Sequence, residues 1–198
     1  MYARKLDVIN RGLSGYNTTW AIPCFEQCLV PTSAQQDRPK IRILTVWFGA
    51  NDACIPPSPQ HVPLDKFKDN LSQIINLVKS PESKYYSPKT EILLLTPPPI
   101  NTFQRYADLA ARDPPLELDR KFEITQDYAE AVKSVAKQHS AHIVDIFGAI
   151  WNKVNHDEKA LSMYLSDGLH LNSDGYQVSL YEFGNWVSPT VIRSYSTK

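Results

Sequence analysis

Residues 41–48, Ile-Arg-Ile-Leu-Thr-Val-Trp-Phe, form a nearly continuous run of apolar, β-branched and aromatic side chains that stops at Gly49. A strand with one wetted face alternates polar and apolar residues; a run like this suits a strand buried on both faces, as in parallel sheets. Residues 91–96 make a second such strand, stopped by Pro97-Pro98-Pro99, and residues 142–146 a further short one. Leu64, Phe67, Leu71, Ile74, Ile75 and Val78 recur at helical spacing, so residues 63–79 are read as an amphipathic helix with proline near its start. Ile124, Tyr128, Ala131, Val132 and Val135 predict a second helix, and Tyr176, Leu180, Phe183 and Val187 a last one, closed by Pro189. Residues 6–10 read as one more strand, running into a loop that carries Gly12 and Gly15. Strands alternating with helices of this length specify an α/β fold with a parallel sheet and right-handed crossovers.

At 198 residues the chain suits one domain, residues 1–198, with a single core. It has no internal repeat, low-complexity tract or second-domain linker; residues 31–39 read as a surface connection, and residues 102–118 as either a lid or an irregular excursion. Lys+Arg and Asp+Glu both number 21, so no net field recruits nucleic acid or an anionic membrane. Three cysteines, Cys24, Cys28 and Cys54, argue against a closed disulfide framework and suit a reducing compartment. Cys24 and Cys28 lack a second Cys/His pair at zinc-finger spacing, so no metal site is expected. Met1-Tyr2-Ala3-Arg4-Lys5 lacks the apolar core of a signal peptide and no window spans a membrane, which predicts a cytoplasmic protein.

Active sites of parallel sheets lie beyond the C-terminal ends of the strands, where Gly12 to Tyr16 and Gly49-Ala50-Asn51-Asp52 fall. Acyl transfer from an ester needs a nucleophile, a base, a group fixing that base, and donors aimed at the developing oxyanion. In Asp167-Gly168-Leu169-His170, His170 can be the base and Asp167 can fix its tautomer from within one short loop. The same tetrapeptide also reads as a plain Asp-Gly turn before a helix capped by Asn172 or Ser173. Asn51 offers a side-chain amide to an oxyanion, Gly49 lets the chain turn sharply, and Asp52 can tie the loop; a generic strand-to-helix loop is the plainer reading.

The order of these motifs, with Ser14-Gly15 after the first strand, resembles the SGNH (GDSL-type) hydrolase family. Residues 48–54 and 167–172 are similar to the isoamyl-acetate-hydrolysing esterase branch of that family, and the resemblance runs from Leu6 to about Val187. It implies a three-layer α/β/α sandwich and a metal-free, cofactor-free serine esterase for small acyl esters. It assigns Gly15 and Asn51 to the oxyanion hole, Asp167 to the orienting acid and His170 to the base, with Gly49, Asp52 and Gly168 as structural members of the motifs.

The family's first block, Gly-Asp-Ser after a central strand, has no counterpart in residues 1–198, and residues 1–5 resemble the tail of the helix that follows that block. The resemblance therefore implies an N-terminally truncated domain without its nucleophile and without its first, central strand. Removing that strand would separate its neighbours by roughly 10 Å and expose two unpaired edges, lowering stability. Ser14 is a poor substitute: it lies beside the oxyanion glycine, and its surroundings lack the second glycine of a Gly-x-Ser-x-Gly elbow. Two other readings stand beside an impaired esterase. One is a non-catalytic binding or regulatory protein that keeps the crevice; the other is a metal hydrolase using Asp52, Asp167 and His170.

Overall fold

In the computed structural model, which describes residues 7–187, the two strongest apolar runs lie side by side as parallel strands. The elements in chain order are α1 (Thr18–Cys28), β1 (Ile43–Trp47), α2 (Leu64–Lys79), β2 (Glu91–Leu95), α3 (Thr102–Ala110), α4 (Phe122–Gln138), β3 (His142–Val144), α5 (Ile146–Lys153) and α6 (Ser173–Trp186). Short 3-10 turns occupy Thr32–Asp37 and Lys159–Met163. The sheet order is β1-β2-β3, with Leu44 opposite Ile92 and Leu94 opposite Ile143.

The residues of β2 alternate between two cores. Ile92 and Leu94 pack with Phe67, Leu71, Ile74, Ile75 and Val78 of α2 and with Tyr128, Val132 and Val135 of α4. Leu93 and Leu95 pack on the other side with Ile146, Phe147 and Ile150 of α5 and Val178 of α6. Two helical layers therefore enclose a parallel sheet, giving the three-layer α/β/α arrangement. Aromatic edges lock each layer: Phe67 meets Tyr128 with ring centroids 5.0 Å apart, and Phe122 meets Trp151 at 4.4 Å.

Several expectations need correction. Leu6 lies outside the described residues, and residues 7–10 are not a strand: Val8 is 92% and Ile9 68% exposed, and no ladder hydrogen bond reaches the segment. Strand-forming composition is insufficient without a neighbouring edge to pair with. β1 is not buried on both faces either. Among the described residues it forms one edge of the sheet, where Val46 is buried but Thr45 and Trp47 are exposed.

Ile146, read as strand, begins α5, because Asp145 caps that helix by accepting from the Gly148 N–H at 3.0 Å. α6 forms, but Tyr176 and Leu180 face outward; the helix approaches its neighbours through the smaller residues Gly175, Val178 and Ser179. It ends at Trp186, and Pro189 lies outside the described residues. Residues 102–118 are not wholly irregular, since they begin with α3, capped by Asn101. Helix α1 carries little signature in the sequence because Pro23 and a thin apolar stripe mask its period, although Asn17 caps it by accepting from the Trp20 N–H at 2.9 Å.

Two substitutions test this packing by urea denaturation. Phe67→Ala, at a fully buried ring, should cost about 3–5 kcal/mol. Leu180→Ala, at a side chain pointing into solvent, should stay within about 0.5 kcal/mol of the parent.

Candidate active site

Asp167 and His170 sit in a loop closed on itself. Leu165 and Leu171 pair as an antiparallel bridge, the Ser166 N–H donates to the His170 carbonyl at 2.8 Å, and buried Leu165, Leu169 and Leu171 anchor the loop. Asp167 Oδ1 accepts from the backbone N–H groups of Leu169 (3.0 Å) and His170 (2.8 Å). Its Oδ2 faces His170 Nδ1 at 2.8 Å and accepts from Arg105 Nη1 at 3.0 Å. An ionised carboxylate only accepts, so the proton between them sits on Nδ1, and a ring carrying that proton alone accepts at Nε2. Burial alone would raise the Asp167 pKa, but the hydrogen bonds from His170 and Leu169, with the charge of His170, hold it below the usual carboxylate value.

Gly168 makes this geometry possible. Its φ is +83°, and a Cβ there would lie 2.3 Å from the Arg105 nitrogen and 2.7 Å from the Asn101 carbonyl oxygen, both unyielding backbone atoms. The Asn101 N–H donates to the Gly168 carbonyl at 3.0 Å, so the loop is pinned against the start of α3.

The other half of the site follows β1. Gly49 turns the chain at φ +117°, with the Pro97 ring 2.9 Å from where its Cβ would be. Asn51 Nδ2 donates to the Tyr16 carbonyl at 2.9 Å, bringing Asn51 beside the Gly15 loop. Gln60 Nε2 donates to the Gly15 carbonyl at 2.8 Å, and the Gly15 N–H meets no acceptor among the described residues. Asp52 is fully buried, accepting from the Thr18 backbone (2.9 Å) and hydroxyl and from the Gly49 N–H (3.2 Å). Burial raises its pKa against those hydrogen bonds. It ties the start of α1 to the loop after β1 and does not join Asp167 and His170; no group of three metal-ligating side chains forms among the described residues. Ser14 is exposed and makes no hydrogen bond to His170.

Sequence reasoning did not single out Arg105, Asp119, Arg120 or Gln60. Arg105 and Arg120 are 5% and 3% exposed, and both bond to the Asp119 carboxylate. A charge buried so deeply must be paired, yet nothing in a single sequence distinguishes such an arginine from a surface one. Burial would raise the Asp119 pKa, but the Arg105 hydrogen bond and the two guanidinium charges outweigh it and hold the carboxyl low.

Asp119 and Asp167 have depressed folded-state pKa values. Each therefore contributes stability that is complete above the unfolded value, near 3.8, and is lost as pH falls through the lower folded value. Asp119→Asn should accordingly lose stability at neutral pH, with the gap to the parent narrowing as pH drops below that window in urea titrations. Gly168→Ala should cost at least ~2 kcal/mol through strain and backbone collision. Thermal unfolding within experimental error of the parent would contradict the placement of this loop.

Comparison with known proteins agrees with the fold. A lipase/acylhydrolase from Enterococcus faecalis superposes with a TM-score of 0.63 at 22% identity, covering 91% of this chain and 74% of the other. An acetylxylan esterase from Geobacillus stearothermophilus, a catalytic mutant, gives 0.64 at 20% identity over 91% of this chain and 72% of that one. A GDSL esterase/lipase of Arabidopsis thaliana is 35% identical over 182 residues, 90% of this chain and 71% of the relative. The isoamyl acetate-hydrolyzing esterase 1 homolog of Bos taurus is 34% identical over 177 residues, 88% of this chain and 66% of the relative. The chain thus spans about two thirds of the length of these curated relatives. The family model for the GDSL-like lipase/acylhydrolases matches residues 1–178, nearly all of the chain described above, and the chain belongs to that family.

Proposed function

We propose that this chain carries the base, the orienting acid and the oxyanion donors of a carboxylic-ester hydrolase for small acyl esters, within one domain covering residues 1–198. The observation that carries the reading is the 2.8 Å contact from His170 Nδ1 to Asp167 Oδ2, in a family of lipases and acylhydrolases. That contact leaves Nε2 as the proton acceptor a serine hydroxyl needs. As the serine oxygen bonds to the ester carbonyl carbon, its proton passes to Nε2. The carbonyl electron pair moves to an oxygen held by the Gly15 N–H and Asn51 Nδ2. Collapse breaks the ester C–O bond, and Nε2 returns the proton to the departing alcohol; water then repeats the sequence on the acyl-enzyme. A relative named for isoamyl acetate supports a short acyl group. The chemistry calls for no cofactor, and no helix among the described residues is long and apolar enough to cross a membrane.

Residues 1–198 contain no serine in a Gly-Asp-Ser block, so these residues alone should turn over p-nitrophenyl acetate little above background. Preceding them with a strand and a Gly-Asp-Ser loop should confer hydrolysis. That activity should fall on the order of 10⁴-fold with His170→Ala and about 10²–10³-fold with Asn51→Ala. A folded fusion that binds short esters without cleaving them would replace this reading with that of a binding protein keeping the crevice.

A further inference from the structure

The residues assigned to chemistry come from three separated stretches, the Gly15 loop, the loop after β1 and residues 167–170, and the groups joining them are charged and continuous, with both arginines buried and Asp119 half-buried. Arg105 grips Asp119 with two parallel bonds, Nε to Oδ1 at 2.9 Å and Nη2 to Oδ2 at 2.8 Å. Arg120 Nη1 donates to the same Oδ2. The two guanidinium groups face Asp119 and Asp167, with Asp108 at 3.6 Å from Arg105 Nη1 and itself paired with Arg112, so both arginines are matched by carboxylates where they are almost fully desolvated. The Asp119 carbonyl also accepts from the Ile55 N–H at 2.8 Å, fastening this segment to the loop that follows β1.

The outer ends of the cluster touch the working atoms. Arg105 Nη1 donates to Asp167 Oδ2, the same oxygen that faces His170. Arg120 Nη2 donates to Asn51 Oδ1 at 3.0 Å and to Gln60 Oε1 at 3.2 Å, while Nε holds the Ala50 carbonyl at 2.8 Å. With Oδ1 accepting from Arg120 and Nδ2 donating to Tyr16, the Asn51 amide has one orientation that satisfies both partners, and the flipped amide satisfies neither. One Nδ2 hydrogen is left for another acceptor. Gln60, held by Arg120, donates in turn to the Gly15 carbonyl.

We propose that Arg105, Asp119 and Arg120 form a positioning bridge that holds the histidine-orienting carboxylate and the oxyanion donors in mutual register. The inference rests on the site reading given above. The planar guanidinium forks fix both direction and distance, which a lysine at either position would not do. A displacement at one end is transmitted through Asp119 to the other, and misplacement of the order of 1 Å is costly in acyl transfer. All three are positioning residues; each acts through Asp167, Asn51 or Gly15.

The bridge is tested by NMR on the ¹⁵N-labelled chain, following the His170 ring nitrogens and the Asn51 side-chain amide. Arg120→Lys should shift the His170 signals although Arg120 does not touch that pair, Arg105→Lys should shift the Asn51 amide, and Asp119→Asn should shift both. Lys133→Arg, in an ion pair on α4, serves as control and should move neither. Shifts confined to the group each altered side chain itself touches would overturn the proposal. Should the variants not fold, the unaltered chain decides: a bridge requires resolved, slowly exchanging Nη resonances for Arg105 and Arg120, and rapidly averaged ones refute it. Coupled shifts without hydrolysis by the serine-bearing fusion would remove the esterase reading alone. Uncoupled shifts with His170-dependent hydrolysis would remove the bridge alone.

Discussion

Strand β2 has a neighbour on each edge and a hydrophobic core on each face, and the placement of everything else follows from that enclosure. Parallel pairing on both sides forces each return of the chain through a helix, so the segments leaving β1, β2 and β3 emerge at the same end of the sheet. Phe48-Gly49, Thr96-Pro97 and Asp145 begin those segments. Asn51 and Asn101 are thereby brought to one rim, where loops from distant parts of the sequence can meet. The close packing of Pro97 on Gly49 is a direct result of adjacent parallel strands ending in step.

Around that rim, buried polar groups fix the loops more firmly than apolar contact could. Asp52 is enclosed by Thr18 and Gly49, and Asn70 adds a donor to the Thr18 hydroxyl at 3.0 Å. Tyr128 sends its hydroxyl to the Val62 carbonyl, and burial pushes its pKa up to about 12, so it stays protonated throughout the working range. Each such group has one arrangement that meets its hydrogen-bonding needs, and in a desolvated setting the alternatives are costly. Specificity of backbone position at the rim comes from this discrimination, while the apolar layers beneath supply the bulk of the stability.

Elements whose signal is local were readable from the sequence. The period of Phe67, Leu71, Ile74 and Val78 and the continuous apolar run of β2 each survive in the structure because burial enforces them. The adjacency of Asp167 and His170 was legible for the same reason, since three residues and a glycine confine them to one loop. Long-range consequences were not. Whether residues 7–10 pair, and whether Thr45 is covered, depends on which neighbour lies beside them. Tyr176 and Leu180 kept helical spacing yet turned outward, because close approach through Gly175 and Ser179 outweighed apolar patterning. Arg105, Asp119 and Arg120 acquire their meaning only from burial, which composition does not encode.

The edge of β1, which no other strand pairs among the described residues, also bears on how residues 1–198 behave in bulk. Equal numbers of acidic and basic residues place its isoelectric point near 7.0, so at neutral pH there is no net repulsion to keep copies apart. A five-residue edge with Trp47 partly in solvent then meets other copies under the least favourable colloidal conditions. Buffer pH becomes a lever on solution lifetime: a unit or two away from neutrality gives every copy the same sign of charge and lengthens the time the chain stays dispersed.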